Sequence, residues 1–466
     1  MTDRADEIEE NKMPPKIVSW LISCAFFMQM IDGTILNTAL PEIAKDINEN
    51  PLEIQSIIIA YMLTVASLLP LSGWMADKVG AKKIFIYAVG VFTLGSLFCA
   101  LSYDLTTLVV SRVFQGIGGA LMVPVGRLIV LKLYPKDQLV KVLSFVLLPA
   151  LFGPILGPPL GGFIVEYLSW HWIFLINLPI GIIAMFLIKA KMPEIKKEPT
   201  NNFDWAGFIS LSLAIVLICI ATNRSSLIAS SYIHKIVMIV SAAILMTFFW
   251  FYINKSKKPL FNPELIKIRT FTTAILGNLF TRLGFAAMPL LLPLLFQVGL
   301  GMSPSKSGSL LLTIGFASIL GKFAVEKLIK LMGYRNVLTL NTVFVGSIVC
   351  CFAFITKETS EISIILLLIL MGTINSIQFT TMNTITLIDL PKRRASDGNS
   401  VLSVIMQVSM VLGISVGSSM LNMFEGIYPE NLLKAFHITF IVLGIFTILS
   451  SITFVFIPKK AGGLKR

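Results

Sequence analysis

The sequence predicts an all-α integral membrane protein of fourteen transmembrane helices, arranged as two six-helix bundles plus a two-helix insert. Three observations carry this expectation. Of 466 residues, 55% are hydrophobic and only 14% charged, against about a quarter charged in ordinary soluble domains. Apolar stretches of about twenty residues, the length that crosses the hydrocarbon core of a bilayer, recur along the whole chain. Two long polar linkers then divide those stretches into six, two and six. With a mean hydropathy of +0.84, the chain lacks the charged exterior that a water-soluble core requires, which excludes a soluble enzyme.

In order, the candidate spans are about 17–38, 52–74, 83–101, 105–130, 140–164, 172–190, 205–222, 235–253, 271–298, 307–328, 337–355, 362–388, 398–422 and 435–457. Residues 1–16 form an expected N-terminal tail with five acids, Asp3, Asp6, Glu7, Glu9 and Glu10, and no small-residue cleavage site. The first span is therefore read as a retained helix and not a secretory signal. The first bundle is expected over 17–190 and the second over 271–457, with a short tail at 458–466. Between the bundles, KAKMPEIKKEPTNNFDW (Lys189 to Trp205) and NKSKKPLFNPELIKIRT (Asn254 to Thr270) isolate the insert, so that 191–270 holds the linkers and the two extra helices.

The net charge of +13 would suggest nucleic acid in a soluble chain, but in a membrane protein it sets orientation. With the N-terminus inside, the outer loops hold only Lys45, Arg224, Lys235, Lys306, Lys357 and Lys434, and Arg112, Arg127 and Arg282 fall within spans. The remaining Lys and Arg lie in the tails and the alternate loops, which places both ends in the cytoplasm of a plasma membrane. Cys24, Cys99, Cys219, Cys350 and Cys351 sit in apolar stretches without ligand spacing, and His171, His234 and His437 are scattered. No metal site, disulfide framework or enzymatic cofactor is expected. A G-x-x-x-x-G-K-[ST] phosphate loop is also missing, so the energy source expected is a proton gradient and not ATP.

Ionisable side chains inside spans need a reason, because each costs about 2.5–3.5 kcal/mol at the bilayer centre on the insertion scale. Asp32 lies one helical turn from Gln29 in FFMQMIDGTILNTALP. A carboxyl in a low-dielectric cavity can load and release a proton as access alternates, which makes Asp32 the proton-site candidate. The plainer reading is a permanent pair with a basic residue that locks two helices together. In the fourth span Arg112, Gln115, Gly116 and Gly119 stand at i, i+3, i+4 and i+7 on one face. A guanidinium does not lose its proton, so Arg112 must meet a carboxylate, carbonyls, water or an anion, with Asp32 among the possible partners. Gly116 and Gly119 are read as helix-packing residues, and Arg127 as an anchor that snorkels to the interface.

The fifth span contains LFGPILGPPLGGF, in which Gly153, Gly157 and Gly161 repeat every four residues beside Gly162, Pro154, Pro158 and Pro159. Glycine permits close helix approach and proline loosens the backbone, so this segment is a gate candidate. Between spans two and three, GWMADKVGAKK holds Gly73, Asp77 and Gly80 next to Lys82 and Lys83, a charge cluster that could latch one state. In the second half, Asn278 and Arg282 are four apart, Asn375 and Gln378 share a face, and Asn399, Ser403 and Gln407 recur every four residues. With Gln29 and Gln115 these are the candidate cavity residues for a small-molecule substrate, against the alternative that the amides only join helices. Arg282 has no acid in its own span, which suggests an anion.

Three of these segments, in order, resemble signatures of the major facilitator superfamily: GWMADKVGAKK its cytoplasmic loop, Arg112 to Gly119 its fourth-helix motif, and GPILGPPLGG its antiporter motif on the fifth helix. DGTILNTALP (Asp32 to Pro41) and WHWIFLINLPIG (Trp170 to Gly181) are similar to the fourteen-span drug:proton antiporter 2 branch, and within it to enterobacterial inner-membrane efflux proteins. The resemblance implies a proton-driven exporter of small organic compounds or drugs that alternates access. It implies Asp32 as the membrane-embedded acid, Arg112 as the coupling arginine, and Gly73, Asp77 and Gly80 as the inner gate. Two departures stand out. His171 lies between Trp170 and Trp172 where the family often has arginine, and Lys330 stands where the second copy of the loop motif would carry an acid.

Two alternatives accompany this expectation. One is a dedicated exporter of an endogenous anionic metabolite, a siderophore or a metal chelate. The other is a transporter-like receptor or scaffold, which would tolerate loss of Asp32. Expected partners are the substrate, protons and the lipid bilayer, with neither nucleic acid nor an obligate protein partner.

Overall fold

Backbone N–H and C=O groups have no water to bond in hydrocarbon, so a chain this apolar must close its hydrogen bonds within helices. The computed structural model describes residues 16–51, 53–195, 197, 203–222, 231–256, 259–391, 394–458 and 461–463, and among them it is helical throughout, without a strand. The tail before residue 16, Arg224 and most of 458–466 lie outside the described residues. The first group of helices is α1 (Lys16–Asp46), α2 (Ser56–Leu68), α3 (Leu71–Val79), α4 (Ala81–Ala100), α5 (Leu105–Leu133), α6 (Lys136–Tyr167), α7 (His171–Leu175) and α8 (Asn177–Lys191). The insert is α9 (Trp205–Thr222) and α10 (Tyr232–Lys255). The last group is α11 (Arg269–Phe285), α12 (Met288–Leu294), α13 (Pro304–Cys351), α14 (Glu361–Ile388), α15 (Ala395–Ile427) and α16 (Leu432–Val455).

Helix starts follow local chemistry. Asp104 caps α5 by accepting from Thr107 N at 2.7 Å in a reciprocal capping box. Ser303, Ser360 and Asn431 cap α13, α14 and α16 by accepting from the backbone N–H of Lys306, Ser363 and Lys434. Gly80 and Gly333 take φ of 110° and 76°, values that favour glycine, and each breaks the chain between two helices. By length and apolarity, eleven helices among the described residues can cross a membrane, or twelve if α2 and α3, bent by 59°, make one span. The expected fourteen are not reached on that criterion. Pro304–Phe354 counts once although it covers two expected spans parted at Gly333, and α6, which covers 140–164, is not among the eleven.

Within the first group α1 lies along α6, and α4 along α5. A Cβ at Gly153, Gly157 or Gly161 would collide with Met30, Thr34 or Ile35 of α1, which explains the four-residue glycine repeat. Thr34 Oγ1 also donates to the Gly153 carbonyl at 3.0 Å. Despite Pro154, Pro158 and Pro159, α6 runs unbroken. The two groups meet through α6 against α13, α2 against α15 and α1 against α12. At the end of the bundle far from the termini, a Cβ on Gly162 would strike the Pro304 carbonyl, and one on Gly308 the Pro158 carbonyl. Ser305 N donates to Glu166 Oε2 at 2.8 Å and Gln297 Nε2 to the Thr38 carbonyl at 2.9 Å across the same end. That end is closed by direct backbone approach.

The first insert helix touches both groups. Ser212 Oγ donates to the Ser67 carbonyl at 2.9 Å, and Ser419 Oγ donates to the Thr222 carbonyl at 2.6 Å. Trp74 of α3 packs on Phe203 and Trp205 at the start of α9, with ring centres 5.2 and 5.8 Å apart. The second insert helix, α10, packs mainly on α9 and leaves most of its apolar surface exposed, with 11% of its span buried.

Because carbonyl oxygens oppose Gly308 and cannot rotate away, Gly308→Ala should force α6 and α13 apart. The closed arrangement should weaken by about 1–3 kcal/mol, as overpacking of close-fitted interiors does. Spin labels at positions 166 and 305 should then report a longer mean distance. An unchanged distribution would mean that this backbone approach does not hold the end shut.

Candidate functional site

The buried ion pair at the centre of the first group is assembled from five helices. Asp32 on α1 and Arg112 on α5 are 0% and 1% exposed, and Arg112 Nη1 donates to Asp32 Oδ2 at 2.7 Å. Gln115, one turn along α5, accepts from the same Nη1 through Oε1 and donates from Nε2 to Asp32 Oδ1 at 2.8 Å. Asn177, at the start of α8, donates to Asp32 Oδ1 at 3.0 Å. Ser96 on α4 receives both amides. The carboxylate thus accepts three hydrogen bonds, one of them charge-assisted. On its other side the guanidinium lies 4.2 Å from the Tyr61 ring centre, a cation–π contact from α2.

The helix glycines make room for this cluster. Tyr61 and Thr64 of α2 fill the space where Gly116 and Gly119 would otherwise carry a Cβ. Gln29 Nε2 donates to the Gly119 carbonyl at 3.0 Å, so Gln29 ties α1 to α5 instead of facing a solute. Arg112 Nε is buried without a hydrogen-bond partner. Arg127 is exposed near the end of α5, as an anchor would be.

At the end that carries the termini, Asp77 pairs with Lys132 of α5, Nζ to Oδ1 at 2.7 Å, so this acid, expected at the inner gate, is held within its own group. Gly73 is exposed with open space around it, and Gly80 lies beside Lys197. Lys330, the basic residue in the second copy of the loop, bonds Glu326 one turn back on the same helix. At the far end Trp170 Nε1 donates to Asp46 Oδ2 at 2.7 Å, and the His171 ring stacks on Trp170 at 3.8 Å.

In the last group the expected polar stripes separate into two kinds. Gln378 donates to Thr342 Oγ1 at 2.7 Å and accepts from Asn341 Nδ2 at 2.8 Å, a bond set that joins α14 to α13. Asn278 is fully buried and bonds Thr386 Oγ1 at 3.3 Å. Ser403 Oγ turns onto the Asn399 carbonyl at 2.8 Å, while Asn399 is exposed and Asn375 and Gln407 are half-buried. Arg282 differs from all of these. Its Nε reaches Asn278 Oδ1 at 3.3 Å and its guanidinium carbon lies 4.9 Å from the Phe379 ring centre, yet Nη2 is buried with no partner. Among the described residues no carboxylate pairs with it.

Sequence reasoning named Asp32 as a possible partner of Arg112 but read Gln115 as a cavity residue, whereas the structure bonds it to both charges, and Ser96, Asn177 and Tyr61 were missed as parts of the cluster. Asn177 could have been noticed as the single amide in an otherwise apolar sixth span. Ser96 and Tyr61 gave no signal, since a serine or tyrosine in an apolar helix is common. Among the described residues no three His, Cys, Asp or Glu side chains gather as a metal site.

The sequence profile of the Major Facilitator Superfamily matches residues 22–414 and 274–466. The chain is 41% identical over 439 residues to a Pectobacterium atrosepticum protein provisionally named multidrug resistance protein MdtD, covering 94% of this chain and 93% of that one. It is 40% identical over 444 residues to the Salmonella paratyphi A protein of the same provisional name, covering 94% of each. In fold it is similar to the nucleoside transporter NupG, at a TM-score of 0.66 and 11% identity over 94% of this chain and 98% of that one. A peptide-bound POT family transporter gives 0.67 and 16% over 94% and 95%. The chain belongs to the major facilitator superfamily, as a multi-pass membrane transporter and not an enzyme.

Proposed function

We propose that the chain is a proton-coupled antiporter that exports small organic compounds, drugs among them, from the cytoplasm across a bacterial inner membrane. The observation that carries this reading is the Asp32–Arg112 pair, a titratable acid buried against a permanent cation inside the first bundle. Removing one partner of a buried pair leaves an uncompensated charge at about 3–5 kcal/mol. Protonation of Asp32 therefore obliges the surrounding helices to rearrange, which is the link that an exchanger needs. The two six-helix bundles, over 17–190 and 271–457, then rock against one another, with the far end closing and opening in turn. The relatives' provisional names as multidrug resistance proteins support export of drugs, and the distribution of Lys and Arg supports cytoplasmic termini. At about 150 mV one proton supplies roughly 3.5 kcal/mol, enough for an approximately 300-fold gradient of a neutral solute. No cofactor beyond that gradient is required.

Asp32→Asn keeps the shape of the side chain and removes its titration. It should insert normally and lose pH-gradient-driven efflux from vesicles. Wild-type flux in that variant would rule Asp32 out as the proton carrier.

A second reading is favoured by Arg282, whose buried Nη2 lacks a partner: the cargo is an endogenous organic anion, free or as a chelate, and Arg282 holds its carboxylate. Arg282→Gln should then weaken an anionic ligand by about 1.5–3 kcal/mol, the loss of a charge-assisted hydrogen bond, and leave matched neutral and cationic ligands unchanged or improved. Equal changes for all three, in titrations of the purified protein, would make Arg282 a packing residue.

A further inference from the structure

The two oxygens of Asp32 have unequal surroundings. Oδ2 faces the Arg112 guanidinium at 2.7 Å, whereas Oδ1 receives the amides of Gln115 at 2.8 Å and Asn177 at 3.0 Å. Each of those amide nitrogens has a second N–H, and both second N–H groups reach the same acceptor, Ser96 Oγ, at 2.7 and 3.2 Å. One hydroxyl on α4 thereby fixes two amides, from α5 and α8, onto one oxygen of a carboxylate from α1. Ser96 and Asn177 are 0% and 1% exposed, so these bonds lie away from bulk solvent.

We propose that Ser96 and Asn177 are positioning residues of the proton site: with Gln115 they pin Oδ1 through neutral donors, so that proton uptake falls on Oδ2 and must displace Arg112. This inference rests on the reading of Asp32 as the proton carrier. In the step, a proton from hydronium, which is left as water, adds to a lone pair of Oδ2 and forms an O–H bond, and the Arg112 N–H···Oδ2 bond breaks. Arg112 keeps its own proton and its charge, and retains Gln115 Oε1 and the face of Tyr61. Oδ1 becomes the carbonyl oxygen of the neutral carboxyl and still accepts from the amides. Without the clamp the carboxyl could turn its proton away from Arg112, and uptake would no longer release the arginine.

The sign of the effect follows from the donors. A hydrogen bond to the ionised form favours that form, because a carboxylate oxygen accepts more strongly than a neutral carbonyl. Loosening the amides should move proton uptake to higher pH. The ionisable groups that face Asp32 are Arg112 from α5, Tyr61 from α2 and Cys99 from α4. The α12 segment MPLLLPL has no ionisable residue, those of α6 and α8 lie towards the helix ends, and His171 and Lys306 sit at the far end, Lys306 paired with Glu361. None of these groups changes in the variants below.

The test is infrared titration of the purified full-length chain in detergent, with Asp32→Asn used to assign the protonated carboxyl band. Ser96→Ala and Asn177→Leu should each move the midpoint of that band upward by about half to one pH unit, the worth of one ordinary hydrogen bond. Ser96→Thr keeps the hydroxyl and should keep the wild-type midpoint. Asn177→Ala, measured beside Asn177→Leu, separates loss of the donor from misfit of the larger side chain. If no Asp32-dependent band titrates in the wild type, the proton-carrier reading fails and this proposal with it. If the band titrates with the same midpoint in Ser96→Ala and in both Asn177 variants, only the positioning role is overturned.

Discussion

A charge buried among apolar helices is costly unless it is paired, and in the first bundle the Asp32–Arg112 bond pairs two such charges. The rest of the cluster follows from that pair. The carboxylate has lone pairs left after Arg112, and Gln115 and Asn177 fill them. Those amides in turn need an acceptor for their second N–H, which Ser96 supplies. Four helices thus gather around one carboxylate, and Tyr61 from a fifth completes the shell around the cation. Gly116 and Gly119 are small because Tyr61 must pass α5 to reach the guanidinium.

The same economy of space governs the contact between the bundles. Apolar side chains gain little from leaving lipid, so helices associate where small residues let backbones touch. Along α6 three glycines accept α1, while Gly162 meets α13 of the other bundle, where Gly308 makes the reciprocal contact. One helix therefore carries both the internal packing of its bundle and the seal at the far end. The position of α9 adds a second physical link, since it is bonded to α2 on one side and to α15 on the other. Relative motion of the bundles must bend or slide at these contacts.

The two halves are alike in backbone and unlike in charge. Gly80 and Gly333 both adopt positive φ between consecutive helices, so the tight turn survives in each half. The acid does not. Asp77 binds Lys132 across helices, whereas Lys330 bonds an exposed glutamate on its own helix. Buried charge is distributed just as unevenly, with a neutralised pair in the first half and, among the described residues, an arginine without a paired carboxylate in the second. An arginine of that kind is stabilised only in part by Asn278 and Phe379.

The sequence by itself determined the all-helical membrane fold and singled out Asp32 and Arg112 as charges that need a partner, because bilayer thickness and the cost of buried charge act on local sequence. Glycine spacing in α6 was legible for the same reason, as a four-residue repeat marks one helix face. Which residues meet across helices was decided only by the tertiary structure. Asn177 and Ser96 lie 145 and 64 positions from Asp32 along the chain, and no local rule joins them. Gln378 and Asn278 looked like cavity residues from spacing alone, yet packing turned them into bonds between helices. Helical periodicity fixes which side chains share a face, but what stands opposite that face depends on how distant helices dock.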